Sequence, residues 1–433
     1  MASLHGKICV VGVGISGLAV ARSLSRREIP FECFDRAHRI GGTYALPGRG
    51  QSEVSREQLQ FSDWPMPRSS PLFPDRSRVA SYLRDYAERF RLDAHIRLET
   101  GVAAASRTTD GKWEIELDGG ERRRFDALVV AGGRDEIASR PRTLPPGEFS
   151  GTQVHVDECR DESVMRARDV VVAGAGGAAC DAAVTSSYVA RSTHISLLRP
   201  RYVLPQIVLG RPYDQLPGLP FLLGRGGPPR RLRRRTLEAG HRALLSLPLH
   251  GLPAPSDPLG EAGVTVAPSL LERLLHGRID VRPAIARFEG DHVRFADGSR
   301  ARANLIVWDT ESRTEFPFLP AELAPVGEHR LELFWNVFPP GEPGLAFVGL
   351  INPMGSPTRI AECQSEWVAA YLSGRYTPPN ERAMRRSIER RRGDEGNHAL
   401  SSGGAPTVEQ YHYLRHVKRE RRAGRWRGRL RRR

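Results

Sequence analysis

A chain of 433 residues is long enough for two or three domains with a substantial core, and its 39% hydrophobic content excludes a disordered chain and suits a soluble globular protein. No span approaches the ~20 apolar residues that cross a membrane, and the apolar run 8–20 holds three glycines without a signal-peptide cleavage site. The net charge of +15 lies mostly in residues 415–433, where 11 Arg and Lys accompany one acid.

The segment from 7 to 17 reads K-I-C-V-V-G-V-G-I-S-G and predicts a dinucleotide site. Residues 8–11 are apolar and indicate a short buried strand, which the following glycines turn into a helix. Gly12 permits the tight turn, Gly14 lets the backbone approach a pyrophosphate, and Gly17 lets the helix pack close to the strand. Asp35 ends a second apolar stretch, where an acid can hydrogen-bond a ribose. We therefore favour a dinucleotide over a merely structural glycine turn.

Beyond this unit, the apolar spacing of 78–90 predicts an amphipathic helix that buries Val79, Leu83, Ala87 and Phe90. From 96 to 131 apolar and polar residues alternate, with a turn at 118–120. This pattern predicts an antiparallel excursion, that is, a set of antiparallel strands inserted between the parallel ones. The excursion closes with an apolar strand at 127–130.

The same order of signals then recurs. An apolar strand at 170–173 enters the turn G-A-G-G-A-A at 174–179, and a second strand follows at 195–198. Turns at 290–291 and 297–298 precede a closing strand at 305–308. Where the first copy has Asp35, the second has Arg199 with Arg201 beside it. An acid suits a free ribose hydroxyl and an arginine accommodates a 2′-phosphate, so the first site is predicted to take FAD and the second NADPH.

The sequence thus predicts an α/β protein with two dinucleotide-binding, Rossmann-like domains, the NADPH domain being inserted into the FAD domain. The predicted boundaries are 1–160 and 301–415 for the FAD domain, 161–300 for the NADPH domain and 416–433 for a basic tail. The third glycine of the second turn is replaced by Ala179. The alternative to a nucleotide site there is therefore a helix start whose small residues serve only for close packing.

Two dinucleotides imply a hydride transfer from nicotinamide to flavin, after which two electrons need an acceptor. Disulfide reductases use two neighbouring cysteines. Here the cysteines at 9, 33, 159, 180 and 363 are never nearer than 21 residues and have no metal-ligand spacing. A disulfide acceptor is therefore disfavoured, oxygen is the next candidate, no metal is expected, and a reducing cytoplasm fits best.

Several segments resemble those of the flavin-containing monooxygenase family and its Baeyer–Villiger relatives. F-S-G-T-Q-V-H at 149–155 is similar to the signature F-x-G-x-x-x-H that precedes the family's second nucleotide site. The remaining similar segments follow in the family's order: F-S-D-W-P-M-P at 61–67, Y-V-L-P at 202–205, F-P-F-L at 316–319, L-A-F-V-G-L-I-N-P-M-G-S at 345–356 and V-E-Q-Y at 408–411. The resemblance spans roughly residues 5–415.

The resemblance implies that NADPH reduces FAD, that oxygen adds at the flavin 4a carbon as a hydroperoxide, and that a nucleophilic nitrogen or sulfur of a small molecule takes one oxygen atom. The residues expected at FAD are Gly12, Val13, Gly14, Ile15, Ser16, Gly17, Asp35, Gly42, Thr43 and Tyr44, with Ser52 and Val54 at the cofactors beside Glu53. Those expected at NADPH are Gly174, Gly176, Ala178, Ala179, Cys180, Asp181, Arg199 and Arg201.

Three positions depart from the family pattern. Glu53, the catalytic candidate, replaces an asparagine close to both cofactors, and we expect it to be protonated so that it can still donate a hydrogen bond. Trp308, Asp309 and Thr310 replace A-T-G, which adds bulk and a charge. Cys159 replaces the last aromatic of the signature and is treated as a packing change. His155, within the signature, is expected to be a structural hydrogen-bonding residue.

Two other functions stay open on sequence grounds. One is Baeyer–Villiger oxygenation of a ketone, and the other is a flavoprotein that no longer oxygenates and acts as an interaction module. The arginine-rich terminus has no recognisable nucleic-acid motif, so a solvated extension is the favoured interpretation. An electrostatic partner or an anionic membrane surface is the alternative for that tail and for the arginine run 230–235.

Overall fold

Two parallel sheets of five strands each organise the described part of the chain. The structure, a computed structural model, describes residues 6–46, 52–132, 135–137, 141, 143–216, 232, 235, 239, 247–255, 264–309, 313–320, 322–323, 332–395 and 407–431. The arginine run 230–235 lies outside the described residues except at 232 and 235.

The strands, numbered in chain order, are β1 (Ile8–Val11), β2 (Phe31–Phe34), β3 (Ile96–Arg97), β4 (Val102–Arg107), β5 (Trp113–Leu117), β6 (Arg122–Phe125), β7 (Ala127–Val130), β8 (Asp135–Ile137), β9 (Thr152–His155), β10 (Asp169–Ala173), β11 (Ser192–Leu197), β12 (Tyr202–Leu204), β13 (Ile207–Val208), β14 (Arg211–Pro212), β15 (Val264–Val266), β16 (Asp280–Pro283), β17 (Ile285–Glu289), β18 (His292–Phe295), β19 (Arg300–Arg302), β20 (Leu305–Trp308), β21 (Arg313–Glu315), β22 (Leu345–Phe347), β23 (Asn352–Met354) and β24 (Thr407–Glu409). The α-helices are α1 (Ile15–Ser25), α2 (Arg56–Leu59), α3 (Arg76–Arg89), α4 (Gly177–Val189), α5 (Pro268–Leu275), α6 (Pro357–Leu372), α7 (Glu381–Glu395) and α8 (Gln410–Arg431). Short 3₁₀ turns lie at Gly42–Ala45, Asp93–His95, Val156–Arg160, Glu162–Met165, Tyr213–Gln215 and Pro248–His250.

The first sheet has the order β22-β7-β1-β2-β3, with every neighbour parallel. Its central strand β1 is fully apolar and buried, as expected of a parallel strand covered on both faces. Helices α1 and α6 pack against each other in the core on one face. On the other face, the antiparallel sheet β4-β5-β6 buries Trp113, Ile115 and Leu117 and confirms the predicted excursion.

The second sheet has the order β16-β11-β10-β20-β9, again parallel throughout. Helix α4 follows β10 and packs on this sheet, and the hairpins β17-β18-β19 lie between β16 and β20 in sequence, with turns at the predicted positions. The sheet draws β9 and β20 from residues beyond the predicted span 161–300, so the domain boundaries of the sequence analysis stay a prediction.

Several predicted elements shift in the structure. The strand predicted at 195–198 is β11, which begins at Ser192 and ends before Leu198, a residue that is 77% exposed. The predicted antiparallel stretch begins only at β4, because β3 joins the first parallel sheet. The tail predicted as a solvated extension is helical: α8 buries Tyr413 and Val417 against the body, and a Cβ at Gly424 would lie 2.1 Å from the Tyr376 ring.

Candidate functional site

The first glycine turn joins β1 to α1, and its three glycines differ in what surrounds them. Gly12 has φ +100°, and a Cβ there would lie 2.8 Å from the Cα of Gly132. A Cβ on Gly17 would lie 1.9 Å from the carbonyl oxygen of Gly12, so the helix could not approach the strand. A Cβ on Gly14 would meet only Gly42, at 3.4 Å. Gly14 is therefore dispensable for the turn itself and leaves the start of α1 open to an approaching group.

Asp35 holds this turn from the end of β2. Its Oδ2 accepts a hydrogen bond from the Val13 amide at 2.8 Å, and its Oδ1 accepts one from the Ala37 amide at 2.9 Å. An ionised carboxylate has about four lone-pair positions, so two remain for a donor such as a ribose hydroxyl. The predicted acid therefore lies beside the predicted glycine turn.

The later segment 42–44 forms part of the rim of this turn. Gly42 has φ +56°, and a Cβ on it would lie 2.9 Å from the Cα of Gly14. The carbonyl oxygen of Thr43 accepts a hydrogen bond from Arg76 of α3. Burial raises the pKa of the Tyr44 phenol, so it is a neutral donor near neutral pH. The structure thus brings Gly42, Thr43 and Tyr44 to the glycine turn.

Ser16, in the first turn of α1, faces a segment that the sequence assigned no binding role. A Cβ on Gly349, which has φ +89°, would lie 2.2 Å from the Ser16 Oγ. The Gly349 amide donates to Oε1 of the buried Gln364 at 2.8 Å. In the sequence, only the family resemblance singles out the segment 345–356. Its contact with Ser16 joins residues too far apart in the chain for any spacing rule to reveal.

The second glycine turn joins β10 to α4. Gly176 precedes the helix, and Ala178 is exposed in its first turn. Ala179 and Cys180 are buried in the core beneath the second sheet, so any contact they make with a ligand would come from their backbone. Burial also raises the pKa of the Cys180 thiol well above its ordinary range. The predicted residues therefore surround one helix start, with the Ala179 and Cys180 side chains buried beneath it.

Glu53 lies between Tyr44, beside the first glycine turn, and the start of α4. A Cβ on Gly177 would lie 2.4 Å from the Glu53 Oε1, so the carboxyl group contacts the first turn of α4. Burial, reinforced by the charge of Asp181, raises the pKa of Glu53 to about 7. The Asp181 side chain is itself exposed, so solvent screens the rise in its own pKa. With a pKa of about 7, Glu53 can hold or release a proton near neutral pH.

The segment around Glu53 is fixed by residues on either side of the small antiparallel pair β13-β14. The Ser52 carbonyl oxygen accepts from Gln206 at 3.1 Å, and the Ser55 amide donates to Oδ2 of Asp214 at 2.7 Å. Ser52 also turns its Oγ to the Val54 amide, at 3.1 Å. These bonds place the predicted residues 52–54 against the second half of the chain, and no local pattern predicted a role for Gln206 or Asp214.

The two predicted arginines differ in their surroundings. Arg199 is exposed, whereas Arg201 is partly buried and lines a small cavity with Ala175 and Cys180. The charge of Arg201 lowers the pKa of Asp309 and so opposes the effect of burial on that acid. Of the two, Arg201 is therefore the one that faces the second glycine turn.

Asp309, noted in the sequence only as a departure, belongs to this site. Its Oδ2 accepts a hydrogen bond from the Gly176 amide at 3.1 Å, and its own amide donates to the Ala173 carbonyl oxygen at 2.9 Å. Burial raises the pKa of Asp309, while the amides of Gly176 and Ala179 act in the opposite direction. The carboxylate therefore lies over the start of α4.

The signature residues His155 and Cys159 have structural surroundings. The His155 amide donates to Glu158 at 2.8 Å, and its Nδ1 accepts from the Asp157 amide at 3.3 Å. Burial raises the pKa of the Cys159 thiol to about 12, and its side chain packs in the second core. Both residues fit the structural roles expected of them.

Among the described residues, no group of acidic, His and Cys side chains could hold a metal ion. All five cysteines fall in the described ranges and are free thiols. None of the helices described above is both long and apolar enough to cross a membrane.

These features define a mixed α/β protein in which a glycine turn and helix start follow the central strand of each parallel sheet. A sequence model of flavin-binding monooxygenase-like proteins matches residues 5–418. The chain therefore belongs to this flavin monooxygenase family and is an enzyme that uses FAD, NADPH and O₂.

Individual comparisons agree with this assignment. The chain is 29% identical over 410 residues to the mouse protein named dimethylaniline monooxygenase [N-oxide-forming] 2, covering 89% of this chain and 76% of that protein. S-allyl-L-cysteine S-oxygenase from Allium sativum has a TM-score of 0.70 at 22% identity, covering 96% of this chain and 88% of the other. The open structure of a cyclohexanone monooxygenase has a TM-score of 0.69 at 16% identity, covering 97% and 98%. At these identities the two structures establish the shared fold alone.

Proposed function

We propose that the chain transfers one oxygen atom of O₂ to a nucleophilic nitrogen or sulfur of a small molecule. In the balanced reaction, NADPH, a proton, O₂ and the substrate give NADP⁺, the oxygenated substrate and water. The observation that carries the proposal is the position of Glu53, whose charge acts on Tyr44 beside the first glycine turn and whose carboxyl group contacts the first turn of α4. Two cofactor sites joined at one buried acid are suited to passing a hydride between them.

FAD is assigned to the first glycine turn, whose residues fit it. Gly14 leaves open space at the N-terminus of α1, where amides and the helix dipole favour a pyrophosphate. Asp35 retains acceptor capacity for a ribose hydroxyl, and Ser16 and Tyr44 supply further hydroxyl groups on the rim. When bound, the reduced flavin supplies the oxygen chemistry at its 4a carbon. The chain's own task is to bind and orient the cofactors and to exclude water.

NADPH is assigned to the second glycine turn. Gly176 and the exposed Ala178 present the backbone of the first turn of α4, and Arg201, with Arg199 nearer the surface, lies after β11, where a 2′-phosphate would be recognised. This assignment makes the two halves copies of one Rossmann-like plan with different ribose recognition. The insertion of the NADPH domain into the FAD domain is part of the proposal.

Glu53 is proposed to act in its protonated form, as a hydrogen-bond donor between the cofactors. Its raised pKa, of about 7, supports this form because the carboxyl is largely removed from water and close to Asp181. Glu53→Gln, which also donates, should leave the ratio of product formed to NADPH consumed nearly unchanged. A collapse of that ratio with release of hydrogen peroxide would show that the ionised acid is required.

The proposed substrate class draws on the relatives' names. The mouse relative is named as N-oxide-forming and the structure from Allium sativum as an S-oxygenase. Ketone oxygenation is the second candidate, since a cyclohexanone monooxygenase shares the fold over nearly the full length.

The decisive experiment mixes the FAD-loaded protein with NADPH without oxygen, and then with ¹⁸O₂ and one substrate at a time. The substrates are a thioether, a tertiary amine and a cyclic ketone. We expect NADPH to bleach the flavin and ¹⁸O to appear in the sulfoxide or N-oxide. A labelled lactone or ester from the ketone alone would favour the second candidate. Failure of NADPH to bleach the flavin would favour a protein that binds cofactors without oxygenating.

A surface contact is proposed for α8. Its exposed face carries a row of basic side chains, namely Arg415, Lys418, Arg419, Arg422, Arg425 and Arg429, beside Trp426, which is 65% exposed. Such a face suits an anionic surface, which basic residues attract and an interfacial Trp can enter. We expect sedimentation with phosphatidylserine vesicles, lost in Arg422→Glu/Arg425→Glu and kept in the control Arg300→Glu. Equal sedimentation of all three would eliminate the contact.

The free thiols fit a reducing compartment, for which we propose the cytoplasm.

A further inference from the structure

A carboxylate of the protein itself occupies the start of α4. Oδ2 of Asp309 lies 3.1 Å from the Gly176 nitrogen and accepts its hydrogen bond, and the Ala179 amide also bonds this carboxyl group. The position is fixed by the sheet, because β20 pairs with β10 and the Asp309 amide continues the ladder to the Ala173 carbonyl oxygen. Asp309 is therefore held at the carboxyl edge of the second sheet, over the glycine turn.

This is the place that a dinucleotide pyrophosphate needs. The first amides of a helix have no partners within the helix, and Gly176, the residue before α4, has no side chain to cap them. A phosphate normally binds these amides and is favoured by the helix dipole. In this chain, part of that capacity is already used by Asp309.

The glycine cradle is filled as well. A Cβ on Gly174 would lie 2.5 Å from the Cβ of Asp309 and 3.0 Å from its Oδ2. The space that glycine leaves free at the first position of the turn is thus taken by the aspartate. Close approach of another group to this backbone requires the carboxylate to move.

The surrounding charges favour the same conclusion. Asp181 lies on α4, so a further acid lies near the helix start, whereas Glu53, which contacts Gly177, is proposed to be protonated. Arg201 is the cation whose charge acts on Asp309, and His155 adds to it when protonated. A pyrophosphate that enters this site meets these acids. A neutral residue at position 309 would remove one of them.

We propose that Asp309 is an internal competitor for the pyrophosphate of NADPH and thereby sets a weak affinity for that cofactor. This inference rests on the proposed NADPH site at the second glycine turn. Binding requires the carboxylate to give up the Gly176 amide and to accept a neighbouring dianion. Since the pyrophosphate is common to both nicotinamide dinucleotides, Asp309 weakens NADP⁺ and NAD⁺ equally, whereas Arg201 discriminates between them.

The test measures equilibrium dissociation constants of NADP⁺ and NAD⁺ for the FAD-loaded protein without turnover. Asp309→Asn keeps an oxygen acceptor for the Gly176 amide and removes the charge. Asp309→Ala removes both and frees the amide. Asp297→Asn is the matched control, because Asp297 accepts from the Ser299 amide in an exposed turn of the same half. Flavin content and the thermal midpoint establish that each variant is folded.

We expect Asp309→Asn to bind both dinucleotides at least tenfold more tightly than the wild type, with Asp297→Asn unchanged. If Asp309→Asn misfolds, Asp309→Ala carries the same expectation. Unchanged or weaker binding by the folded variants would overturn the inference and make Asp309 a residue that shapes the turn. Tighter binding of NADP⁺ alone would also overturn it. Absence of binding by every protein, wild type included, would overturn the proposed NADPH site together with the inference.

Discussion

Gly14 and Gly17 are chemically identical and lie three positions apart, yet the turn between β1 and α1 needs them for different reasons. Gly17 is required by the fold, because its missing Cβ makes room for the carbonyl oxygen of Gly12. Gly14 is required only by an approaching group, because a Cβ there meets ordinary van der Waals distances. A sequence motif cannot distinguish these two roles, and the structure does.

We expect Gly14→Ala to keep its secondary structure and lose most of its bound FAD, and Gly17→Ala to lose both. Circular dichroism and flavin absorbance of the purified variants measure the two properties. The pair is its own control, since each variant adds one methyl group to the same turn. Full flavin content in Gly14→Ala would place the cofactor elsewhere.

Glu53 should make stability depend on pH. The carboxyl ionises near pH 4.5 in the unfolded chain and near pH 7 in the folded protein. Between these values the folded state holds more protons, so its stability falls as the pH rises and levels off above pH 7. Glu53→Gln removes this loss, and the variant should gain up to about 3 kcal/mol over the wild type at pH 8 and nearly nothing at pH 4.5.

Denaturant titrations of the purified protein at pH 4.5, 6 and 8 measure that difference. Glu88→Gln, a substitution of an exposed acid on α3, is the control and should show no pH-dependent gain. A constant difference between Glu53→Gln and the wild type across this range would mean that Glu53 titrates as an exposed acid does.

At the residue scale, the sequence predicted the groups that belong to local motifs. Asp35 and the glycines of both turns follow from short spacings with a known mechanical reason, and the structural role of His155 is the usual one for a lone histidine. Asp309, Asp214 and Gly349 did not, because their partners Gly176, Ser55 and Ser16 lie far away in the chain. Their roles depend on the sheet order, which no local pattern encodes.

Among the elements, helix α6 connects the first glycine turn to α8. Gln364 is fully buried; its Oε1 accepts from the Gly349 amide and its Nε2 donates to the Tyr413 hydroxyl at 2.7 Å. Tyr413 in turn donates to the Trp335 carbonyl oxygen at 2.7 Å. The Gln364 side chain thus holds two parts of the molecule in place: the segment that contacts Ser16, and helix α8, which contains most of the predicted tail 416–433.

Gln364→Leu should lower the free energy of unfolding by about 2–4 kcal/mol, because it leaves a buried amide and a buried hydroxyl without one of their partners. Flavin content should fall too, since Gly349 lies against Ser16. Denaturant unfolding and flavin absorbance measure the two effects. The exposed Glu389→Leu on α7 introduces the same side chain and should change stability by no more than about 0.5 kcal/mol. Similar stability of the two variants would mean that these hydrogen bonds contribute little.

Element boundaries show where periodicity succeeds and where it fails. Strands β1, β7 and β20 match their predictions because buried parallel strands are continuous apolar runs. Strand β11 was misplaced because its first residues are polar but buried: Thr193 and His194 are both nearly inaccessible. Helix α8 was missed because its charge dominated its few apolar positions, of which Tyr413 and Val417 make the contact.

In the whole molecule, hydrogen bonds between the segment 52–58 and residues 206, 214 and 215 join the two halves, and we call this contact the clasp. Ser55 is completely buried, and its amide depends on Asp214. Gln58 reaches the Asp214 carbonyl oxygen at 3.3 Å, and Gln215 donates to the Ser55 Oγ at 3.0 Å. These contacts hold Glu53 against α4, so the proposed hydride transfer depends on the clasp.

Asp214→Ala should cost about 1–3 kcal/mol of stability, because the buried Ser55 amide loses its acceptor. Hydrogen exchange at that amide should quicken in the same variant. Asp214→Asn retains an acceptor oxygen and should exchange as slowly as the wild type. Slow exchange in Asp214→Ala as well would show that the clasp does not depend on this bond.

The duplicated plan of the molecule was predictable, since both halves repeat strand, glycine turn, helix and strand. The place of β9 in the second sheet was not, because this strand precedes the second half in the chain, whereas β20 is the closing strand that the sequence predicts. Pairing of strands this far apart is a property of the folded chain and leaves no local trace.

The placement of β22 at the edge of the first sheet has a consequence for biosynthesis. This strand pairs with β7 only after the whole second half has been made. Until then a nascent chain exposes the bare edge of β7, a template for wrong pairing. The second sheet can form earlier, because the last of its strands in the chain, β20, ends at Trp308. Ribosome-stalled chains released before residue 345 should therefore be protease-resistant in the second half and sensitive in the first, and acquisition of FAD should be a late event in the life of the polypeptide.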